Sequence, residues 1–358
     1  MTNAEWNTLS FPKLGIELPV YSTAFTVFGT SCGSRSSGCA RRSTTRARLG
    51  LLLAVIYCFR RMKDAGIDSD KATDAVFGGF IGAIIGARLY YVFMMWDEYK
   101  GDIKAILSVR DGGLAIYGGL IGALLAGLII AKIKKVKLLP LLDLAGMGFL
   151  IGQTFGRWGN FFNHECFGSN TTLPWGMTSP RIVAALKANA DSIYSSTGVT
   201  VDPTMPVHPC FFYESLWCLI GFVILHFYYK HRKFDGEVFA MYVFWYGLGR
   251  FFIEGLRTDS LMVGHLRISQ FVAAVSVIAA LIVIIAARSK IKQNGGCTLY
   301  KDTEESKTIL AEAERRNAEY DKKRTEKKHR KEASEEKLDP KDRLTDDETE
   351  DNENGKDN

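Results

Sequence analysis

Apolar residues fall in long runs over positions 49–287 and almost vanish over 288–358. A helix that crosses a bilayer needs about 20 consecutive apolar residues, more than the core-facing stripe of a soluble helix supplies. The runs predict spans near 74–96, 113–133, 141–160, 210–229, 238–256 and 268–287. The shorter apolar stretch 49–59 (LGLLLAVIYCF) reads as the inner end of one more. The expected fold is an all-α polytopic membrane protein with seven transmembrane helices, a small external subdomain and a disordered charged C-terminal tail. Its parts are an N-terminal segment (1–48), a transmembrane domain (49–287, with the external loop 161–209) and a cytoplasmic tail (288–358).

The polar segments between the runs alternate in charge. Arg60, Arg61 and Lys63 follow the first stretch, and Lys132, Lys134, Lys135 and Lys137 follow the 113–133 run. Lys230, Arg232 and Lys233 follow 210–229, and Arg288, Lys290 and Lys292 follow the last run. The intervening loops 97–112, 161–209 and 257–267 are of mixed sign. Basic loops stay on the cytoplasmic side. Seven helices with the N-terminus outside and the C-terminus cytoplasmic satisfy that rule. The N-terminus lacks the basic, apolar and small-residue succession of a cleaved signal peptide.

Composition changes the picture little. Mean hydropathy of +0.00 and a charged fraction of 23% average two unlike parts. The cysteines at 32, 39, 58, 166, 210, 218 and 297 form no CxxC pair and no metal-type pairing with histidine, so they read as small apolar residues of the spans. Gly78, Gly82 and Gly86 recur every four residues, as do Gly118, Gly122 and Ala126. That spacing lets helix backbones approach closely in lipid. The tail from 301 onward is too polar to bury a core, with a transient charged helix expected near 304–337.

The chemistry sits in charges embedded in the apolar runs, where they are costly and usually functional. Arg88 lies in GARLYY and Asp143 in LLDLAG. Arg157, Asn160, Asn163 and Glu165 lie in GRWGNFFNHECFG (156–168), and Glu214 lies in HPCFFYES (208–215). Arg250, Glu254, Arg257 and Asp259 lie in YGLGRFFIEGLRTDS (246–260), which Tyr246 opens. Arg250, Glu254 and Arg257 stand at i, i+4 and i+7, on one helix face, and Arg157 shares a face with Asn160. In the topology above both clusters fall at the outer ends of their helices. Two guanidinium-bearing faces at one depth suit a phosphate, and a phosphate at a membrane surface is a phospholipid headgroup.

At these residues the sequence resembles the prolipoprotein diacylglyceryl transferases. GRWGNFFNHECFG fits that family's signature G-R-x-G-N-F-x-N-x-E-x-x-G at Gly156, Arg157, Gly159, Asn160, Phe161, Asn163, Glu165 and Gly168. GARLYY (86–91), DGGLAIYGGLIGA (111–123), HPCFFYES and YGLGRFFIEGLRTDS follow the family order. The resemblance covers about 49–287, more weakly 11–29. It implies a transferase of the bacterial inner membrane that moves the diacylglyceryl group of phosphatidylglycerol to the lipobox cysteine thiol of prolipoprotein signal peptides, releasing glycerol 1-phosphate. This is the first step of lipoprotein maturation. The resemblance implies no metal, no organic cofactor and no nucleic-acid partner. It points to Arg157 and Arg250 for the donor phosphate, with Arg257 assisting. Asn160, Asn163, Glu165, Gly168, Arg88 and Tyr246 would line the substrate site, and Glu254 would hold Arg250. Many members carry histidine where this chain has Tyr117, which makes Tyr117 the candidate for the thiol proton. A tyrosine hydroxyl, with a pKa of about 10, does that poorly unless arginine lowers it.

Residues 30–48 (TSCGSRSSGCARRSTTRAR) depart from the family, which places a first helix here. Five arginines at about 2.5–3.5 kcal/mol each at a span's centre forbid crossing. The composition is that of a GC-rich apolar helix read in a shifted frame, so the expectation is a compensated frameshift and a damaged first span; the alternative is a genuine basic loop. Two alternatives remain beside the transferase. One is a transporter of an anionic lipid or phosphorylated solute, which predicts internal repeats and helices broken at the midplane. The other is an inactive paralogue.

Overall fold

The structure, a computed structural model, describes residues 8–20, 40–108, 113–258, 262–263 and 266–336. They fall in two compact units, Met1–Thr303 and Glu304–Asn358. In the first unit, a hairpin of β1 (Thr8–Phe11) and β2 (Ile16–Pro19) precedes helices α1 (Ala40–Met62), α2 (Ser69–Met94), α3 (Ile116–Ile133), α4 (Leu138–Asn163), α5 (Pro180–Thr197), α6 (Cys210–Tyr228) and α7 (Glu237–Leu256). A short second hairpin, β3 (Met262–Val263) and β4 (Leu266–Arg267), leads into α8 (Ile268–Gln293). Both hairpins are antiparallel.

Every expected span is a helix. Four stretches are long and apolar enough to cross a membrane: Ser69–Met94, Leu138–Asn163, Cys210–His231 and Ile268–Gln293. A shorter apolar helix runs Tyr117–Ile133. None of the four is interrupted, unlike the broken helices expected of a transporter. α7 contains Glu237, Arg250 and Glu254, and α1 contains Arg41, Arg42, Arg46 and Arg48; neither reaches the same apolar standard. From Ala40 the backbone of the arginine-rich stretch is helical and continues into Leu49–Met62, because nothing in ARRSTTRAR breaks a helix; the cost of its arginines in lipid is unchanged by that. Residues 30–39 lie outside the described residues.

Small residues set the closest helix contact. A methyl group at Gly82 would overlap the Gly122 carbonyl, and one at Gly86 the Gly118 carbonyl. The four-residue glycine spacing therefore does bring α2 and α3 together. Elsewhere α1, α4, α6 and α7 share a core that includes Met62, Leu144, Met147, Leu150, Cys218, Leu225 and Val238. α7 begins at Gly236, which has no side chain to cap it. Asp143 of α4, fully buried, does so from across the interface, accepting from Gly236 N at 2.8 Å and Phe239 N at 2.9 Å. A cap is worth about 1 kcal/mol. The charge in LLDLAG is thus a helix cap.

The 161–209 segment has its own core: Leu9 and Val20 pack with Phe161, Met177, Ile182, Leu186, Ile193, Val207 and Phe211. The N-terminal hairpin joins it through reciprocal backbone bonds between Ser10 and Thr178, both 2.8 Å. α5 follows its sequence signals. Ser179 caps Ile182 N, Pro180 occupies the first turn, and Gly198 closes the helix at φ 71°.

In the second unit, a helix stands at Glu304–Glu336 (α9), where the sequence led to the expectation of a charged helix near 304–337. Opposite charges one turn apart sustain it, including Lys307–Glu304 at 2.8 Å and Lys323–Glu319 at 2.7 Å.

Candidate active site

The site forms where α4, α6 and α7 meet. Trp217 of α6 stacks on Trp245 of α7 at 4.5 Å between centroids. Each indole N–H donates to the other residue's carbonyl, at 2.8 and 2.9 Å. Gly249 and Gly221 leave the room these rings occupy. This lock brings Glu214, one turn before Trp217, against Arg250, just over one turn after Trp245. α4 is tied in by a chain of bonds: Trp158 Nε1 donates to Ser215 Oγ at 3.2 Å, and that hydroxyl donates to the Thr154 carbonyl at 2.8 Å. Arg157 is thereby turned toward the same carboxylate.

Glu214, 5% exposed, is the hub. Its Oε2 lies 2.5 Å from Arg157 Nε, and its Oε1 lies 2.8 Å from Arg250 Nη1 and 3.7 Å from Arg257 Nη1. Arg250 also pairs with buried Glu254 at 2.6 Å, as its i, i+4 spacing requires. Arg257 has left the helix and is extended. Its Nη2 donates to Cys166 Sγ at 3.3 Å. Arg267 Nη1 donates to the Glu254 carbonyl. Among the described residues, the three guanidinium groups and two carboxylates of this cluster leave one net positive charge.

A cavity of about 630 Å³ ends on the cluster. Arg157, Asn160 and Tyr246 line its polar end. From there it runs between α4 and α1 past Gly152, Phe149, Leu51 and Val55 to Phe59, Met62 and Val76. Every wall residue beyond Gln153 on that path is apolar except Cys58. A hydrocarbon bearing one anionic group matches this profile.

The sequence candidates separate into groups. Arg157, Asn160 and Tyr246 meet at the cavity head, and Arg157, Arg250, Glu254 and Arg257 meet around Glu214. Gly168 works through its backbone. It pairs with Arg257 in a β-bridge, its N–H donates to the His208 carbonyl at 2.9 Å, and a methyl there would come within 2.8 Å of both Cys210 Sγ and the Leu256 carbonyl. Asn163 is half-buried and Glu165 exposed, and neither lines the cavity. Arg88 stands apart. Its guanidinium donates to the carbonyls of Ile106 (3.0 Å), Gly113 (2.9 Å) and Ala105 (2.6 Å), anchoring the α2–α3 connection. Tyr117, 67% exposed on α3, lies outside the cavity lining. Asp259 lies outside the described residues.

Sequence reasoning did not place Glu214 in the site, nor the supporting contacts of Trp158, Ser215 and Arg267. Beside the site, His164 ends α4 with φ 58° and bonds Ser179 Oγ through Nδ1 at 2.9 Å. Burial, reinforced by the nearby positive charge of Arg181, holds its imidazole down at about 4.

Residues 46–286 match the family model described as prolipoprotein diacylglyceryl transferase. Similar curated proteins include the phosphatidylglycerol–prolipoprotein diacylglyceryl transferase of Clostridioides difficile (strain 630), 38% identical over 245 residues, which are 68% of this chain and 90% of that protein. The protein of the same description from Clostridium novyi (strain NT) is 38% identical over 244 residues, 68% of this chain and 90% of its own length. That from Bacillus cytotoxicus is 39% identical over 241 residues, 67% of this chain and 84% of its own.

Proposed function

This chain belongs to the prolipoprotein diacylglyceryl transferase family, and from that premise we propose that its donor is phosphatidylglycerol, held with the phosphate on Arg157 and Arg250 and an acyl chain in the cavity below them. The observation that carries this assignment is Arg157 at the polar end of an apolar cavity, with Arg250 from a separate helix joined to it through Glu214. The cluster's single net positive charge matches the single negative charge of a phosphodiester.

The reaction follows from that placement. The acceptor cysteine of a prolipoprotein approaches the cluster, where positive charge favours its thiolate. The thiolate sulfur attacks the terminal glyceryl carbon of the diacylglyceryl group. The C–S bond forms as the C–O bond to phosphate breaks, and the bonding pair leaves with glycerol 1-phosphate. The thiol proton goes to solvent or to a nearby base. The leaving phosphate gains a second negative charge in this step. Preorganised guanidinium groups stabilise such developing charge without reorganising. Asn160 and Tyr246 border the glycerol portion at the cavity head. Glu254 holds Arg250, and Arg257, fixed by the Gly168 bridge, extends the positive surface toward the acceptor.

The apolar part of α1 from Leu49 onward, together with α2–α4 and α6–α8, is the transmembrane set in this proposal. The basic segments after α1, α3, α6 and α8 face the cytoplasm, and the cluster and the 161–209 subdomain lie at the outer surface of the cell membrane. Prolipoprotein signal peptides reach the site from that side. Arg157→Ala and Arg250→Ala each abolish transfer from phosphatidylglycerol to a lipobox peptide while the protein keeps its helix content and detergent-solution size. Near-wild-type turnover from either variant removes that residue from the phosphate site.

A further inference from the structure

Three polar side chains of α4 line the cavity: Asn160, Arg157 and Gln153. They stand three and four residues apart on one helix face, with Gln153 innermost. The steps between them along the axis are about 4.5 and 6 Å. The polar groups of a phosphatidylglycerol also come in a fixed order: head-group glycerol, phosphate, then the ester carbonyls of the glyceryl unit. Five bonds separate the phosphorus from the nearer ester carbonyl carbon. With bonds of about 1.5 Å and angles near 111°, each bond advances about 1.25 Å, so the distance is roughly 6 Å. With the phosphate on Arg157, an ester therefore falls at the depth of Gln153. Past Gln153 the wall is apolar except for Cys58, whose thiol already donates to the Leu144 carbonyl at 3.3 Å.

The Gln153 amide is held by its neighbours on α6 and α7. Its Nε2 donates to Tyr242 Oη at 3.2 Å, and its Oε1 accepts from Cys218 Sγ at 3.7 Å. Tyr242 in turn stacks on Tyr246, one turn later on α7, at 6.0 Å between centroids, and packs against Phe149 and Phe239. A primary amide carries two N–H hydrogens. Tyr242 takes one, and among the described residues the other has no protein acceptor. We propose that Gln153 donates this second N–H to an ester carbonyl of the donor, and that the enzyme thereby distinguishes diacyl from dialkyl glyceryl donors. This rests on the donor assignment made above. A dialkyl lipid has no carbonyl at that depth, so the amide hydrogen would be left facing hydrocarbon, which is unfavourable for a polar group.

The test uses the full-length protein in mixed micelles with a lipobox peptide, and kcat/KM is read from the peptide's mass gain. The donors are dipalmitoyl phosphatidylglycerol and its diether counterpart, dihexadecyl phosphatidylglycerol. They share the head group and the number of chain carbons and differ in the two carbonyls. Wild type prefers the diester by about 5-fold, the typical worth of one hydrogen bond. Gln153→Met keeps the length of the side chain and removes its N–H donors; Gln153→Leu removes them in a second shape. In either variant kcat/KM for the diester falls to that for the diether, and the preference disappears. A merely structural role for Gln153 would lower both donors together and leave their ratio where it was. Equal use of the two donors by wild type overturns the proposal with no variant needed. So does a wild-type preference that survives either substitution. Both of those results leave the donor assignment standing. Folded wild type that transfers from neither lipid overturns the donor assignment and the role of Gln153 with it.

Discussion

Replacing Glu214 by glutamine keeps the side chain's size and removes one negative charge from among three guanidinium groups. The carboxylate lies 2.5 Å from Arg157, 2.8 Å from Arg250 and 3.7 Å from Arg257, and is 5% exposed. At such separations and an effective dielectric near 20, the pairs are worth about 4–7 kcal/mol each before desolvation. Removing one partner of a buried pair costs about 3–5 kcal/mol net. Part of that loss appears as lower stability. Part appears as lost orientation of Arg157 and Arg250, because the amide holds them only through neutral hydrogen bonds. If half or more falls on the transition state, kcat drops about 30-fold or more, each 1.36 kcal/mol being tenfold. KM for the anionic donor does not rise, since the cluster's net charge goes from one positive to two. Glu214→Gln should therefore show a large loss in kcat at unchanged or lower KM, together with a lower thermal midpoint. Glu214→Asp should also be impaired, because the shorter side chain cannot reach both Arg157 and Arg250. The assay is steady-state transfer to a lipobox peptide over a range of phosphatidylglycerol mole fractions. A Glu214→Gln enzyme with wild-type kcat, or one whose loss lies wholly in KM, would refute the hub.

Two further outcomes follow from single side chains. Tyr117→Phe changes turnover by less than about threefold, because the ring is exposed and outside the cavity lining; a fall of roughly 100-fold, typical of a lost general base, would return its hydroxyl to the mechanism. His164, ordinarily titrating near 6.5, is held down at about 4 by burial and Arg181. Its contribution to stability is complete above pH 6.5 and is lost as pH falls from 6.5 to 4, by up to roughly 3 kcal/mol. Thermal midpoints measured over that window should slope for wild type and flatten for His164→Asn, which tolerates the left-handed backbone at this position; equal slopes would show that His164 does not titrate in folding.

The helices were legible because lipid-facing and core-facing positions are both mostly apolar, so the spans read as long, predominantly apolar runs. Pairings within one helix were legible too: Arg250 and Glu254 stand one turn apart, and they do pair. Glu214 was not, because its partners lie 57 residues before it and 36 residues after it. No helical period connects those positions; only the packing of α4, α6 and α7 does. Arg88 and Asp143 show how embedded charges can serve the backbone. Both looked functional as charges embedded in apolar runs, yet Arg88 spends its donors on three backbone carbonyls, and Asp143 caps a helix that starts on glycine. Buried backbone groups without partners make such uses as valuable as catalysis. Residues 40–48 were judged by the cost of arginine in lipid, whereas a helix needs only compatible backbone, which they have. Gly152 drew no notice in the sequence; its place on the cavity wall depends on α1 lying opposite.

The most direct measurement follows the phosphorus. Purified protein is incubated with phosphatidylglycerol labelled in its phosphate and with a lipobox peptide, and both products are quantified. Transfer through a phosphate held by Arg157 and Arg250 yields a peptide that has gained a diacylglyceryl group on its cysteine, without phosphorus. One labelled glycerol 1-phosphate appears for each peptide modified. Label found on the peptide, or no gain in peptide mass while the protein remains folded, would contradict it.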